Sequence, residues 1–180
     1  MFEVSEQDAL GFIKQKLSGM EESGELAKLQ QKWQDKAKSR VLRPKDSLTV
    51  LEYAEENTIK YYDPTIEVDQ DIADHNGRVF AKKGTKVNPL KSIPSYNPKL
   101  LFIDGDNEDH IEFALKTINA KNPDHKIILV RGNIINLMKA HNRRIYFDQD
   151  GVMVKKFELE KFPTLIEREG NRLKVSEVVL

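Results

Sequence analysis

The run Leu100 to Asn107, LLFIDGDN, constrains this chain more than any other feature: four apolar residues stop abruptly at an acid, a glycine and a second acid. Apolarity without alternation is the pattern of a strand buried on both faces, in the middle of a parallel or mixed sheet. Ile111, Ala114, Leu115 and Ile118 then recur at helical spacing. A central strand therefore opens through Asp104-Gly105-Asp106 into a helix. In open α/β sheets any chemistry sits at that carboxyl end, so the question is whether DGDNED is a reactive loop or a helix start.

The residues downstream extend the same architecture. Lys126 to Val130 (KIILV) predicts a second buried strand, and Arg131-Gly132-Asn133 turns into a short helix through Ile134, Leu137 and Met138. Arg144 to Phe147 predicts a third strand, Asp148 to Gly151 a tight turn, and Val152 to Phe157 a continuation of that strand. Phe162 to Ile166 predicts a fourth strand, Glu169-Gly170-Asn171 a turn, and Leu173 to Val175 closes the set. Right-handed crossovers make the first strands parallel, and the final hairpin is antiparallel.

Upstream the chain changes character twice. Ser5 to Arg40 is helical and highly polar, with Ser5 and Asp8 at capping-box-like spacing. Leu10, Ile13, Leu17 and Met20 form a narrow stripe, and Leu26, Leu29, Trp33 and Ala37 resume it after a change of phase at Ser23-Gly24, where a break is expected. Arg43-Pro44 ends the helix, because the residue before proline is pushed out of the α region. A stripe this narrow suits a hairpin folded onto its own globular part and a docking arm for another protein equally well. Lys45 to Asn57 reads as a connector with one helical turn. Ile59 to Asn88, punctuated by Asn76-Gly77 and Lys83-Gly84, reads as a small β-hairpin module that must pack on a neighbour. Pro89, Pro94 and Pro98 mark a linker. The expected division is thus a helical arm over 1–44, a connector and small β module over 45–98, and an α/β domain over 99–180.

Composition removes several function classes. With 29 Lys and Arg against 29 Asp and Glu, the formal net charge is zero, which argues against nucleic-acid binding and gives no long-range pull toward anionic membranes. The absence of cysteine excludes disulfides, thiol catalysis and zinc-thiolate sites. No run of about 18 apolar residues is long enough to span a bilayer. Met1-Phe2-Glu3-Val4 does not begin a signal peptide, so the sequence fits either a cytosolic protein or one already processed.

A strand, an acidic loop at a helix start and, much later, a proline directly before another strand is the layout of a thioredoxin-like domain. Its working position, which an anion-stabilising helix end would serve, here holds Asp106-Asn107-Glu108-Asp109 without a dithiol. Pro163 stands where that fold places a cis-proline. An enzymatic alternative uses the same loop: a strand ending in D-x-D also fits the aspartate-nucleophile phosphotransferases, with Asp104 attacking phosphorus and Asp106 as acid/base beside magnesium. Against it, Glu108 stands where a threonine commonly follows, and no later strand ends in paired acids. A calcium loop fails because its twelfth position is Leu115. His75, His110, His125 and His141 are too scattered for a zinc site, with His110 expected on the surface of the first helical turn. A cell-wall-binding module is suggested only by Ile66 to Val87 and the preceding Tyr61-Tyr62. No catalytic, cofactor or metal residue is nominated.

The blocks DIADHNGRVFAKKGTKVNPL (71 to 90), LLFIDGDN, KIILVRGN, RIYFDQDGV and FPTLIEREGNRLKVSEV, in that order, together with MEESGELAKLQQKW and Leu42-Arg43-Pro44, closely resemble the TraW family of F-type conjugative transfer proteins. The resemblance covers nearly the whole chain. It implies a periplasmic, non-enzymatic protein, made with a signal peptide absent from this sequence, that assembles the type IV secretion apparatus and extends the conjugative pilus. It also implies a partner, TrbC, a second thioredoxin-like pilus-assembly protein. In that light the partner-contact candidates are Leu10, Ile13, Leu17, Met20, Leu26, Leu29 and Trp33 on the arm, and Asp106, Glu108 and Pro163 at the acidic loop and the turn facing it.

Overall fold

In a computed structural model that describes residues 9–48 and 51–180, the LLFID run is an inner strand of a six-stranded mixed sheet. The chain divides into two units, Met1–Leu42 and Arg43–Leu180. The first holds α1 (Ala9–Glu22) and α2 (Glu25–Leu42), separated at Ser23-Gly24, where Gly24 adopts a left-handed φ of 72°. The expected break and the stop before Pro44 are both present. Ser5 and Asp8 lie outside the described residues.

The second unit begins with β1 (Glu52–Tyr53), β2 (Thr58–Tyr62), β3 (Ile66–Glu67), β4 (Ile72–Ala73), β5 (Val79–Ala81), β6 (Lys86–Val87) and α3 (Pro89–Ser92). It continues through β7 (Lys99–Asp104), α4 (Glu108–Thr117), β8 (His125–Arg131), α5 (Ile134–Ala140) and β9 (Tyr146–Phe147). A 3₁₀ turn over Gln149–Gly151, α6 (Val152–Phe157), β10 (Lys161–Phe162), β11 (Thr164–Glu169) and β12 (Arg172–Glu177) complete it. The main sheet runs β2-β12-β11-β7-β8-β9. As expected, β7, β8 and β9 are parallel and the β11–β12 hairpin is antiparallel.

The continuous apolar runs have a direct physical cause. Leu100 and Phe102 of β7, with Ile128 and Val130 of β8, face a layer containing α6, Leu90 and Tyr62; Leu101, Ile103, Ile127 and Leu129 face α4 and α5. Both faces are covered, so neither can be polar. Each such side chain contributes about 1.5–3 kcal/mol by leaving water, and Phe102 and Leu101 are fully buried.

Three local expectations are corrected. Val152 to Phe157 is a helix: both carboxylate oxygens of buried Asp148 accept N–H bonds, from Met153 and Val154, at 2.9 Å each, and Val154 and Phe157 turn inward one helical turn apart. A side-chain cap outweighs the β-propensity of VMV. Glu52–Tyr53 forms no helical turn but a short strand parallel to β10, with the Ala54 N–H donating to the Phe162 carbonyl at 3.0 Å. Thr58–Tyr62, expected within the small hairpin module, is instead an edge strand of the main sheet on β12. The remainder of that region is the two small antiparallel pairs β3–β6 and β4–β5.

Candidate functional site

At the carboxyl end of β7, Asp104 is fully buried and pairs in register with Arg131, at the same end of the neighbouring strand β8. Two glycines let the strand ends approach this closely. A Cβ on Gly105 would lie 2.7 Å from the Arg131 carbonyl, and one on Gly132, whose φ is +116°, would lie 2.8 Å from Gly105 Cα. A hydrogen bond from Gly105 N–H to the Arg131 carbonyl, 2.8 Å, locks the contact.

Four donors surround the Asp104 carboxylate. Oδ1 accepts from Arg131 Nε at 3.1 Å and from the Asp106 N–H at 2.9 Å; Oδ2 accepts from the Tyr53 hydroxyl at 2.6 Å and from the terminal guanidinium nitrogen of Arg131. A carboxylate offers about four lone-pair sites, and all are engaged. Burial alone would raise the Asp104 pKa, but the bonds from Arg131, Tyr53 and the Asp106 amide, with the Arg131 charge, outweigh it and hold the group below its ordinary value. The same contact raises the pKa of Arg131, and the bond to Asp104 followed by burial raises that of Tyr53.

A second shell of charge lies outside this one. Arg43 donates to Asp106 through both terminal guanidinium nitrogens, at 2.9 and 2.6 Å, and Arg131 Nε stands 3.6 Å from the same carboxylate. Within α4, His110 is buried, not on the surface as its position suggests: it stacks edge-on against Tyr53 with ring centroids 5.0 Å apart, and its Nδ1 accepts the Asp104 N–H at 3.3 Å. That bond assigns the ring proton to Nε2. Burial lowers the His110 pKa, despite the opposing charges of Asp104 and Asp109.

The remaining acids serve the helix. Asn107 caps α4 by accepting from the Asp109 and His110 N–H groups at 3.0 and 3.3 Å, while exposed Glu108 and Asp109 complement the positive helix end. Pro163 follows a cis peptide bond and is buried, lining with Tyr53, Asn107, Asp109 and His110 a pocket of about 160 Å³. The structure thus brings Asp106, Glu108 and Pro163 to one end of the sheet. On the arm, Leu10, Ile13, Leu17, Leu29 and Trp33 are exposed, and Met20 and Leu26 half-buried.

Arg43, Tyr53, Arg131 and His110 carry this network, and motif reading singles out none of them. Arg131 had a usable signal: KIILVRGN places Arg-Gly at the end of a strand parallel to one ending in Asp-Gly. An open, magnesium-facing Asp104 is what the phosphotransferase alternative requires; its carboxylate is enclosed and fully bonded. Among the described residues, no group of three or more Asp, Glu or His side chains is placed to hold a metal ion.

Fold and site together define a mixed α/β domain whose strand-end acid is sealed inside an internal ion-pair network. The chain is 32% identical over 166 residues, 92% of its own length and 78% of the relative's, to Protein TraW of Escherichia coli (strain K12). It belongs to the TraW family. No protein-family model matches the chain, and no solved structure does.

Proposed function

We propose that this protein is a non-enzymatic assembly component of an F-type conjugative type IV secretion system, acting in the periplasm through contacts with a TrbC-like partner and other secretion components. The observation that carries the reading is the extent of likeness to Protein TraW, which runs through both units and supports a role in conjugative transfer. The site adds a chemical argument. Asp104, the acid that ends the central strand where this architecture carries out reactions, holds two strand ends and the Tyr53 segment together. No helix of the described residues is long and apolar enough to cross a membrane.

The scaffold is thioredoxin-like. Supporting this are the order β8-β7-β11-β12 within the sheet, the crossover through α4, and the position of Pro163 directly before β11. The arm over 1–44 supplies the partner surface: its apolar side chains are exposed at 41–69% for Leu10, Ile13, Leu17, Leu29 and Trp33, and aromatic anchors such as Trp33 dominate interface energetics. Deleting the protein from its own transfer system abolishes pili and plasmid transfer, and supplying it in trans restores both. Normal transfer in the deletion strain, or magnesium-dependent hydrolysis of phosphate esters by the purified chain, refutes the proposal.

A further inference from the structure

The end of the sheet opposite the Asp104 network holds a second, unassigned feature. Between the carboxyl end of α4 and the first residues of β8 and β9 lies a pocket of about 290 Å³, walled by Lys121, Asn122, His125, Arg143, Arg144 and Tyr146. Its size is at the lower edge of small-molecule sites. The chain as a whole has as many acids as bases, yet this lining contains three cations and no carboxylate.

Three details give the concentration of charge a chemical meaning. Among the described residues, none of Lys121, Arg143 and Arg144 has a carboxylate within ion-pair distance. Arg143 donates to the carbonyls of Leu115, at 3.0 Å, and Ile118, which commits two of its five N–H donors and leaves three. Tyr146 gives the pocket one aromatic wall, with Lys126 Nζ 5.4 Å from its ring centroid. Asp124, whose charge acts on His125, is not in the lining, and one of its oxygens accepts the Asn97 N–H at 3.2 Å.

We propose that this pocket binds a small phosphate-bearing molecule. Three cations suit a phosphate group with several acceptor oxygens better than a lone carboxylate, because a guanidinium fork and an ammonium contact those oxygens by charge-assisted bonds.

The test uses the full chain in calorimetric and NMR titrations at matched ionic strength, with inorganic phosphate, glycerol phosphate and sodium chloride as probes, and sedimentation with phosphatidylglycerol vesicles as a separate arm. Lys121→Ala with Arg144→Ala is the control, because both side chains are exposed and the fold does not depend on them. Saturable phosphate binding, weakened about tenfold or more in the double variant, supports a soluble phosphate compound as ligand. Vesicle binding lost in the variant, with no response to free phosphate, supports a lipid headgroup as its source. Silence in both arms, or binding that the variant leaves unchanged, overturns the proposal. A weak, non-saturating response that sodium chloride reproduces means an adventitious ion only, and overturns it equally.

Discussion

Replacing Asp104 with Asn separates a structural network from a catalytic one. The Asp104 side chain is 1% exposed and that of Arg131 33% exposed. Breaking a buried ion pair from one side costs about 3–5 kcal/mol. The lower end applies here, because Arg131 keeps contact with water and with Asp106 at 3.6 Å, and the Asn carbonyl still accepts from Tyr53. We expect a loss of about 3 kcal/mol, which at about 2–4 °C per kcal/mol for a chain of this length lowers the melting midpoint by about 6–12 °C. Arg131→Ala should cost a similar amount, and the double variant much less than the sum, because the partners act as one unit. The pH dependence carries the same signature. The folded pKa of Asp104 lies below its ordinary value of 3.8. Its stabilisation is therefore complete above that range and is lost as pH falls through the folded value, while the Asn variant lacks that part of the acid slope. Calorimetry and urea unfolding across pH 2–7 read all of this. A change under about 0.5 kcal/mol, the size of an ordinary surface substitution, refutes the reasoning.

Further substitutions probe neighbouring parts of the argument. His110 has a folded pKa below its ordinary 6.5, as does His125, so on acidification the unfolded chain takes up protons first and stability declines as pH drops below about 6.5. His110→Gln should flatten part of that decline in urea unfolding, and His110→Gln with His125→Asn more of it; an unchanged slope contradicts the assignment. Gly132→Ala forces a Cβ to 2.8 Å from Gly105 Cα at φ +116° and should cost more than about 3 kcal/mol. Gly77→Ala, at φ +80° with nothing within 4 Å, should cost only about 1 kcal/mol. Equal melting midpoints for the two would show that the DG–RG contact is loose. Arg43→Ala removes a pair whose side chains are 45% and 38% exposed and should shift stability by less than about 1 kcal/mol, less still at high salt.

The sheet was legible in sequence because its physics is local and repetitive. LLFI and IILV are apolar throughout, and only a strand covered on both faces asks for that. The arm was legible through its stripe, its break at Ser23-Gly24 and its stop at Arg43-Pro44. The errors come from partners that no pattern announces, one a side-chain cap five residues away and the others contacts across long separations. VMVKKF reads as a strand until the Asp148 carboxylate is seen capping its first turn. Thr58–Tyr62 reads as part of a hairpin until β12, more than a hundred residues later, pairs with it. His110 reads as a surface residue because nothing nearby in sequence predicts Tyr53 against its ring. At the site, Asp104 and Asp106 stood out as residues, but their meaning depends on Arg131 and Arg43, which no motif links to them.

The most direct measurement of the central claim is size-exclusion chromatography with light scattering on the full chain mixed with the TrbC-like protein of its own transfer system. The same mixture is run with Leu17→Asp and Trp33→Ala combined. Both side chains are exposed, at 46% and 64%, so the variant should melt within about 1–2 °C of the parent. The parent chain is expected to form a complex of defined mass and the variant none. No complex with the parent, or an undiminished one with the variant, contradicts this expectation.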